Sequence, residues 1–160
     1  MVQICRATAI ANDGFLALLT QVFLENDKGV PDKAALDRFE KTIRQDRVRF
    51  LMALEGPRVV GVISLTFSFS TMQMRPYAIL GDLYVHPGHR GRGCAAALVV
   101  AGMDAAHAEG CTHLVTVSYE GLEGIYQRFG WEAKADTLVA NLDLDGPPPG
   151  LLATGDFYFD

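Results

Sequence analysis

The feature that most constrains this chain of 160 residues is a junction near its middle, where an apolar run meets a glycine-rich turn and then a long apolar segment. Residues 77–85 are predicted to form a strand that ends at His86-Pro87-Gly88. Residues 93–109 are apolar nearly all round, which is typical of a helix packed under other structure, and Gly110 is its expected stop. We therefore expect a sheet with this strand-to-helix crossover at its centre.

The remaining elements are predicted from the spacing of apolar residues along the rest of the chain. Strands are predicted over residues 2–7, 47–54, 58–69, 113–118, 131–135 and 138–144, with 47–54 and 58–69 paired as an antiparallel hairpin, and a short helix over 122–129. Asn12 or Asp13 is the expected cap of a helix that ends near Asn26, and Asp32 is the expected cap of a second helix that ends near Gln45. The order β-α-α-β-β-β-α-β-α-β-β predicts an α/β (α+β) fold, in which helices flank a mixed, mostly antiparallel sheet.

Composition argues against several classes of protein. The length favours one domain, and a formal charge of −5 with a pI near 5.3 argues against a nucleic-acid surface, which needs a basic face. Cys5, Cys94 and Cys111 are odd in number and lack metal-ligand spacing, which favours reduced thiols in a cytoplasmic protein without a metal. The N-terminus has no signal-peptide layout, and no apolar stretch approaches the roughly 20 residues that cross a membrane.

The chain is expected to divide into a single domain over residues 1–145 and a C-terminal tail over residues 146–160. The tail begins with Gly146-Pro147-Pro148-Pro149-Gly150, which is a stiff extended spacer. The aromatic run at residues 157–159 makes the tail too apolar for a purely disordered segment. We expect the tail to dock on the domain or on a second subunit.

The turn between the central strand and helix combines the groups that bind phosphate. The first N–H groups of a helix lack partners and carry partial positive charge. Gly91 and Gly93 let the main chain come close to a ligand, and Arg90 and Arg92 supply guanidinium groups suited to phosphate. The turn lacks the Gly-Lys-Ser/Thr ending of nucleoside-triphosphate loops and the Gly-x-Gly-x-x-Gly of dinucleotide loops. The alternative is an ordinary strand-to-helix turn with solvated arginines.

The segment Arg90-Gly91-Arg92-Gly93-Cys94-Ala95 matches an Arg/Gln-x-x-Gly-x-Gly/Ala pattern, and the strand end Leu83-Tyr84-Val85-His86-Pro87 precedes it. In this the chain resembles the GNAT superfamily of acetyltransferases, and the order of its elements resembles that family's as well. The resemblance implies a GNAT-type sheet and acetyl-CoA as co-substrate, without a metal. It also implies which main-chain groups contact the cofactor: those of Leu83, Tyr84 and Val85 the pantetheine arm, and those of Arg90, Gly91, Arg92, Gly93, Cys94 and Ala95 the pyrophosphate. Cys94 is then a small loop residue without a nucleophilic role.

A second motif, Gly124-Ile125-Tyr126-Gln127-Arg128-Phe129-Gly130-Trp131, is similar to the family's Tyr-x-x-x-Gly-aromatic signature. The resemblance implies that Tyr126 is the general acid that protonates the departing thiolate, since a phenol has a reference pKa of about 10. The alternative is an amphipathic residue that caps the core beside Phe129 and Trp131. Tyr119 occupies the position at which many relatives have a cofactor-contacting asparagine.

Asp82 is the best candidate for the base that takes the proton from an ammonium substrate. It interrupts the apolar run 78–85, where a carboxylate is costly to bury unless it is hydrogen-bonded or near solvent. The alternative is a structural carboxylate that bonds neighbouring loop N–H groups. Many relatives carry an acidic pair here, and Gly81 replaces its first member, which leaves room for a water relay. His86 and His89 flank the loop and are expected to be solvated or cofactor-adjacent.

The resemblance implies transfer of the acetyl group of acetyl-CoA to a primary amine of a small molecule. Residues 65–71 and 77–85 are similar to the diamine and polyamine branch of the superfamily, which makes a polyamine one candidate acceptor. Glu25, Asp27 and Asp32 would either attract a cationic amine or form a solvated turn. The alternatives are a protein or peptide N-acetyltransferase and a non-catalytic CoA-binding module. Family members often dimerise through sheet edges or C-terminal strands, so a homodimer is expected.

Overall fold

The structure, a computed structural model, describes residues 1–8, 13–117 and 122–133. Its elements are β1 Gln3–Arg6, α1 Asp13–Glu25, α2 Lys33–Arg44, β2 Val48–Glu55, β3 Arg58–Ser70, β4 Arg75–Val85, a short 3₁₀ turn Pro87–His89, α3 Cys94–Ala108, β5 Leu114–Thr116 and α4 Glu123–Gln127. These bounds agree with the predicted ones to within two residues, and only the 3₁₀ turn is new. The last two predicted strands beyond residue 133 and the C-terminal tail lie outside the described residues, and residues 131–133 form no strand.

The five described strands form one sheet in the order β1-β2-β3-β4-β5. Strands β1 to β4 pair with one another antiparallel, and β2 and β3 form the predicted hairpin. Strand β5 pairs with β4 in parallel, because the chain crosses over through α3 before it returns to the sheet. The sheet is therefore mixed and mostly antiparallel, which confirms the predicted fold class.

Alternation along the strands gives the sheet a separate core on each face, since successive side chains of a strand point to opposite sides. Ile63 and Leu65 of β3 belong to the core that includes Leu98 and Val99 of α3. The opposite face packs against α1 and α2 around three aromatic rings whose centroids lie 5.0 to 5.8 Å apart. These rings are those of Phe15, Phe39 and Phe50.

The helix ends follow the signals in the sequence. The Asp32 side chain accepts a 2.7 Å hydrogen bond from the Ala35 N–H and caps α2, as predicted. Gly110 has a left-handed φ of 75°, and its N–H donates to the His107 carbonyl, which ends α3 where the sequence predicts. Among the residues that the structure describes, no helix is both long and apolar enough to cross a membrane.

Two glycines allow α3 to lie close against the sheet. A β-carbon built on Gly61 of β3 would come within 3.0 Å of Cys94 Sγ and of Leu98 Cδ1, and one built on Gly102 would come within 3.2 Å of Leu80 Cδ2. Any larger side chain at these positions would push the helix away from the strands. The first turn of α3 is therefore seated directly on β3.

A β-bulge divides strand β4 into two unequal halves. Val62 of β3 faces Tyr84 and Ser64 faces Gly81, so Asp82 and Leu83 together oppose a single residue of β3. Asp82 has a φ of 51°, an uncommon conformation for a residue other than glycine. Strand β5 pairs only with residues 78–80, so within the described residues β4 has no ladder partner on that side beyond the bulge. The bulge thus marks the point beyond which β4 pairs only with β3 among the described residues.

Candidate functional site

The open end of β4 leads into a cavity of about 520 Å³. The cavity is lined by the end of β4, the following loop, the first turn of α3 and one side of α4: Leu83, Tyr84, Val85, His89, Arg90, Gly91, Gly93, Cys94, Ala95, Ala96, Leu122, Ile125 and Arg128. Every residue that the sequence nominates for the cofactor lies in this lining except Arg92. The structure therefore brings the two motifs of the sequence, the glycine-rich turn and the short helix before Trp131, to one place.

The glycine-rich turn leads into the first main-chain donors of α3, which have no acceptor within the helix. Gly91 and Gly93 have φ values of 74° and 80°, a left-handed conformation that favours glycine. Gly93 is the N-cap of α3 and offers no side-chain hydrogen bond, while the Ala97 N–H bonds back to the Gly93 carbonyl. The N–H groups of residues 94–96 consequently have no acceptor within the helix. A helix N-terminus of this kind is suited to an anion.

Cys94 requires a correction, because it is not a loop residue. It is the first residue of α3 and is buried, with burial raising the pKa of its thiol. The left-handed Gly93 is the N-cap, so the loop ends at Gly93 and α3 begins at Cys94, within one residue of the predicted start of the helix. A buried neutral thiol is a poor nucleophile, which agrees with the packing role that the close contact with Gly61 indicates.

The two arginines of the turn have different surroundings. The Arg90 Nε donates to the Val85 carbonyl at 2.8 Å, and the same guanidinium donates to Glu25 Oε2 at 3.1 Å and lies 5.5 Å from the centre of the Tyr84 ring. Arg92 is exposed and has no ion pair with any residue in the described part of the chain. Arg90 is therefore held in place, whereas Arg92 is free to approach a ligand.

The hydroxyl of Tyr84 belongs to the same group of contacts. It donates to Glu25 Oε1 at 2.9 Å. Burial, reinforced by this carboxylate, raises the pKa of Tyr84 to about 12. Hydrogen bonds from Gln21 and then from Tyr84 lower the pKa of Glu25, so the carboxylate stays ionised.

The acidic cluster that the sequence suggests for a cationic amine is not a single site. Glu25 binds Tyr84 and Arg90, whereas Asp32 caps α2. Asp27 is exposed and has a φ of 53°, as expected in a turn. The contacts of Glu25 were not predicted, because they join residues far apart in the sequence.

The two histidines of the loop support its bend. His86 Nδ1 accepts a hydrogen bond from the Gly88 N–H at 3.2 Å, and His89 Nε2 lies 2.9 Å from Oε2 of Glu55, the last residue of β2. His89 also lines the cavity. His86 is not among the lining residues, so only His89 lies beside the cavity.

Asp82 lies at the bulge with an exposed carboxylate, and it is not part of the cavity lining. Its Oδ2 accepts a 2.7 Å hydrogen bond from the Ser64 hydroxyl, so the expected partners, neighbouring loop N–H groups, are replaced by a side chain of β3. Ser64 is almost fully buried and was not predicted. Its signal in the sequence is that it is the single polar side chain in the apolar run 59–65. A β-carbon at Gly81 would lie 3.2 Å from Ser64 Oγ, so an acidic residue there would crowd this pair.

Tyr126 of α4 is buried against the core rather than in the cavity lining. Its ring lies 5.2 Å from that of Trp131, and burial raises the pKa of its phenol, while a hydrogen bond with Thr116 of β5 lowers it in part. The neighbouring residues Leu122 and Ile125 do line the cavity. Tyr126 is thus next to the site and stays protonated at neutral pH; Tyr119 lies outside the described residues.

Comparison with known proteins gives a consistent result. A sequence model described as the acetyltransferase (GNAT) family matches residues 15–131, while no curated protein shows a significant match. Among solved structures, a probable acetyltransferase has a TM-score of 0.79 at 19% identity and covers 91% of this chain and 99% of its own. An integron cassette protein from the mobile metagenome of Cole Harbour Salt Marsh has a TM-score of 0.76 at 27% identity, with 91% and 92% covered.

A third structure, a predicted acetyltransferase with acetyl-CoA from Clostridium acetobutylicum, has a TM-score of 0.70 at 15% identity, covering 88% of this chain and 96% of its own. At these low identities the structural similarities support the fold. The family model carries the assignment further, because it spans the cavity, the glycine-rich turn and the second motif in one match. The chain therefore belongs to the GNAT family of acetyltransferases, whose members use acetyl-CoA as the acetyl donor.

Proposed function

We propose that this chain is an acetyl-CoA-dependent N-acetyltransferase whose acceptor is a primary amine of a small molecule. The observation that carries the proposal is the meeting of three features at one cavity. These are the edge of β4 beyond the bulge, which has no strand partner on the β5 side among the described residues, the N–H groups at the start of α3, which have no acceptor within the helix, and the apolar side of α4. Together they offer main-chain groups for an extended arm and positive charge for a pyrophosphate.

The residues that line the cavity fit acetyl-CoA. The main-chain groups of Leu83, Tyr84 and Val85 would hold the pantetheine arm, because β4 has no described strand on that side to use them. The main-chain groups of residues 90–95 would hold the pyrophosphate, and Arg92, which is exposed and forms no ion pair with a described residue, would add its guanidinium. When bound, acetyl-CoA supplies an activated thioester carbonyl for attack by the amine.

Two side chains are proposed for proton transfer. Tyr126 would donate its phenolic proton to the leaving sulfur, and its raised pKa keeps that proton in place at neutral pH. Asp82 would take a proton from the ammonium form of the acceptor, directly or through a water molecule, since its carboxylate is exposed and is oriented by Ser64. An amine attacks only after it has lost this proton.

A non-catalytic acetyl-CoA-binding module is the second candidate function. The burial of Tyr126 favours it, because a phenol packed on Trp131 and outside the cavity lining is also explained by core packing alone. Both candidates require the same cofactor loop. They differ in whether any amine is acetylated.

A thiol-release assay over a panel of acceptors tests the proposal. The panel includes polyamines, amino acids, aminoglycosides, amino sugars and peptides, and acetyl-CoA is the donor throughout. We expect turnover with a small amine, with polyamines as the first candidates. Turnover with peptides alone would replace the acceptor class, and binding of acetyl-CoA without any turnover would favour the binding module.

We also propose that the protein is a cytoplasmic homodimer. Two considerations support the homodimer: family members often dimerise, and the C-terminal tail, residues 146–160, is rich in aromatic residues. Sedimentation of the full chain and of a chain ending at residue 145 measures both masses. A shortened chain that is still a dimer would exclude the tail as the dimer contact.

A further inference from the structure

Helix α1 contributes one carboxylate to the cofactor side of the molecule. Glu25 Oε1 accepts hydrogen bonds from the Tyr84 hydroxyl at 2.9 Å and from Gln21 Nε2 at 3.1 Å, and Glu25 Oε2 accepts from the Arg90 guanidinium at 3.1 Å. Tyr84 and Arg90 lie 59 and 65 positions away from Glu25 in the sequence. The Glu25 side chain therefore accepts from three donors. Gln21 lies one turn earlier in α1, and Tyr84 and Arg90 come from a distant part of the chain.

The two distant partners lie on either side of the 3₁₀ turn in the segment that leads from β4 to α3. Tyr84 is next to the last residue of β4, and Arg90 follows the 3₁₀ turn Pro87–His89. Arg90 is held a second time, because its Nε donates to the Val85 carbonyl at 2.8 Å. The Glu25 carboxylate thus connects a residue before the 3₁₀ turn with a residue after it. Both of these residues, Tyr84 and Arg90, line the cavity.

The geometry indicates that these contacts shape the loop, in addition to a modest contribution to stability. An isolated exposed ion pair contributes little to folding, because water screens it and two long side chains lose freedom. The side chains of Glu25 and Arg90 are 29% and 53% exposed, but three donors share the Glu25 carboxylate, and the Arg90 guanidinium lies 5.5 Å from the centre of the Tyr84 ring. A loop that is already ordered loses less entropy when it binds a ligand.

We propose that Glu25 is a positioning residue of the cofactor site, which holds the bend between β4 and α3 in the shape that accepts the pyrophosphate. This inference rests on the proposed function, since it presupposes that acetyl-CoA binds at this loop. Glu25 does not contact the phosphates, because two negative groups would repel each other. It acts through Arg90 and Tyr84, and Arg92 remains available to neutralise the ligand.

Calorimetric titration with acetyl-CoA of three proteins tests the inference: wild type, Glu25→Gln and the control Glu40→Gln. Glu40 is a matched control, because it forms an ion pair with Arg44 on α2, away from the cavity. We expect Glu25→Gln to raise the Kd for acetyl-CoA about three- to fivefold, the upper end of what one partly exposed charged contact contributes. Glu40→Gln is expected to leave the Kd within about twofold of wild type.

Kinetics with two donors separate a positioning role from general damage. With acetyl-CoA, Glu25→Gln should raise the KM and leave kcat at saturation unchanged, since the loop shape affects binding and not the chemical step. With S-acetylpantetheine, which has no pyrophosphate, Glu25→Gln and wild type should have the same kcat/KM. Tyr84→Phe keeps the ring but loses the hydroxyl contact, so it should raise the KM for acetyl-CoA in the same direction.

The outcomes also separate this inference from the proposed function. If wild type does not bind acetyl-CoA, the proposed function fails and the inference fails with it. If wild type binds and Glu25→Gln binds equally well or more tightly, only the inference fails. A lower melting temperature with an unchanged Kd, or an equal loss with S-acetylpantetheine, would also overturn it.

Discussion

The two halves of β4 differ in what they offer to the rest of the molecule. Residues 75–80 pair with β3, and residues 78–80 also pair with β5, so the first half is built into the sheet. Beyond the bulge at Asp82, the second half pairs with β3 alone in the part of the chain that the structure describes. The side chains of the first half contribute to the core. In the second half, main-chain N–H and carbonyl groups have no strand partner on the β5 side in the described part of the chain.

One strand therefore contributes both to the stability of the core and to the proposed binding of acetyl-CoA. A main-chain N–H or carbonyl that is not paired within the protein needs another partner, which is water or a ligand. The bulge provides such groups beside the N-terminus of α3 without weakening the core under the first half, where Ala78 and Leu80 are almost fully buried. Stability and cofactor binding should therefore respond to different substitutions along this strand.

The largest effect is expected in the first half of β4. Leu80→Ala should lower the free energy of unfolding by about 2–5 kcal/mol, because it removes a fully buried side chain that packs beside Gly102 of α3. Ile79→Ala, on the partly exposed neighbour, should cost about 1 kcal/mol or less. Denaturant unfolding measures both. A loss of acetyl-CoA affinity without a loss of stability in Leu80→Ala would contradict the division of β4.

The next effect concerns the chemical step. Tyr126→Phe should lower kcat about a hundredfold, the loss expected for a general acid, and leave the Kd for acetyl-CoA unchanged. Tyr77→Phe is the control, since Tyr77 lies in the first half of β4 and its ring stacks on His113. Steady-state kinetics with the best acceptor decide the matter. Equal kcat values for Tyr126→Phe and wild type would assign Tyr126 to core packing.

A smaller effect is expected at the turn that follows the second half. Gly93→Ala should weaken acetyl-CoA binding about tenfold, because a left-handed alanine costs about 1–2 kcal/mol and the loop relaxes away from the shape that presents its N–H groups. Gly110→Ala at the other end of α3 carries the same strain, with a φ of 75°, and should lose similar stability but no affinity. Calorimetry and thermal unfolding of the pair give the comparison. Equal Kd values for the two variants would contradict the proposal that the glycine-rich turn binds acetyl-CoA.

The smallest effect depends on pH and concerns Tyr84 at the end of β4. The folded protein raises the pKa of Tyr84 to about 12, from an ordinary value near 10, so the contribution of its neutral hydroxyl to stability is complete below pH 10 and lost as pH rises towards 12. We expect wild type to exceed Tyr84→Phe by about 1 kcal/mol at pH 9, since the hydroxyl is partly exposed. The gap should close at about pH 12. A gap that widens with pH would contradict the contact with Glu25.

Local patterns predicted most of the fold. The apolar run, the two glycines and the helical spacing were enough for β4, the turn and α3, because each of these elements is determined by residues close in sequence. The caps at Asp32 and Gly110 were predicted for the same reason. The 3₁₀ turn Pro87–His89 was missed, although Pro87 at its first position is a signal for it.

The site was predicted less completely than the fold. The partners Ser64 and Glu25 lie 18 and more than 50 positions from the residues that they bind, and no local spacing predicts such a contact. The bulge at Asp82 depends on the register between β3 and β4, which the sequence of one strand does not determine. The family motif extends over both the loop and the first turn of α3, so the motif alone does not show that Cys94 belongs to the helix.

We propose that the second half of β4 and the turn after it bind acetyl-CoA. Calorimetric titration of wild type and Gly93→Ala with acetyl-CoA tests this binding directly. We expect one acetyl-CoA to bind per chain, with a Kd between about 1 μM and 1 mM, the range usual for the KM of enzyme substrates. We also expect weaker binding by Gly93→Ala. Absence of heat at millimolar acetyl-CoA, or equal binding by both proteins, would contradict the proposal.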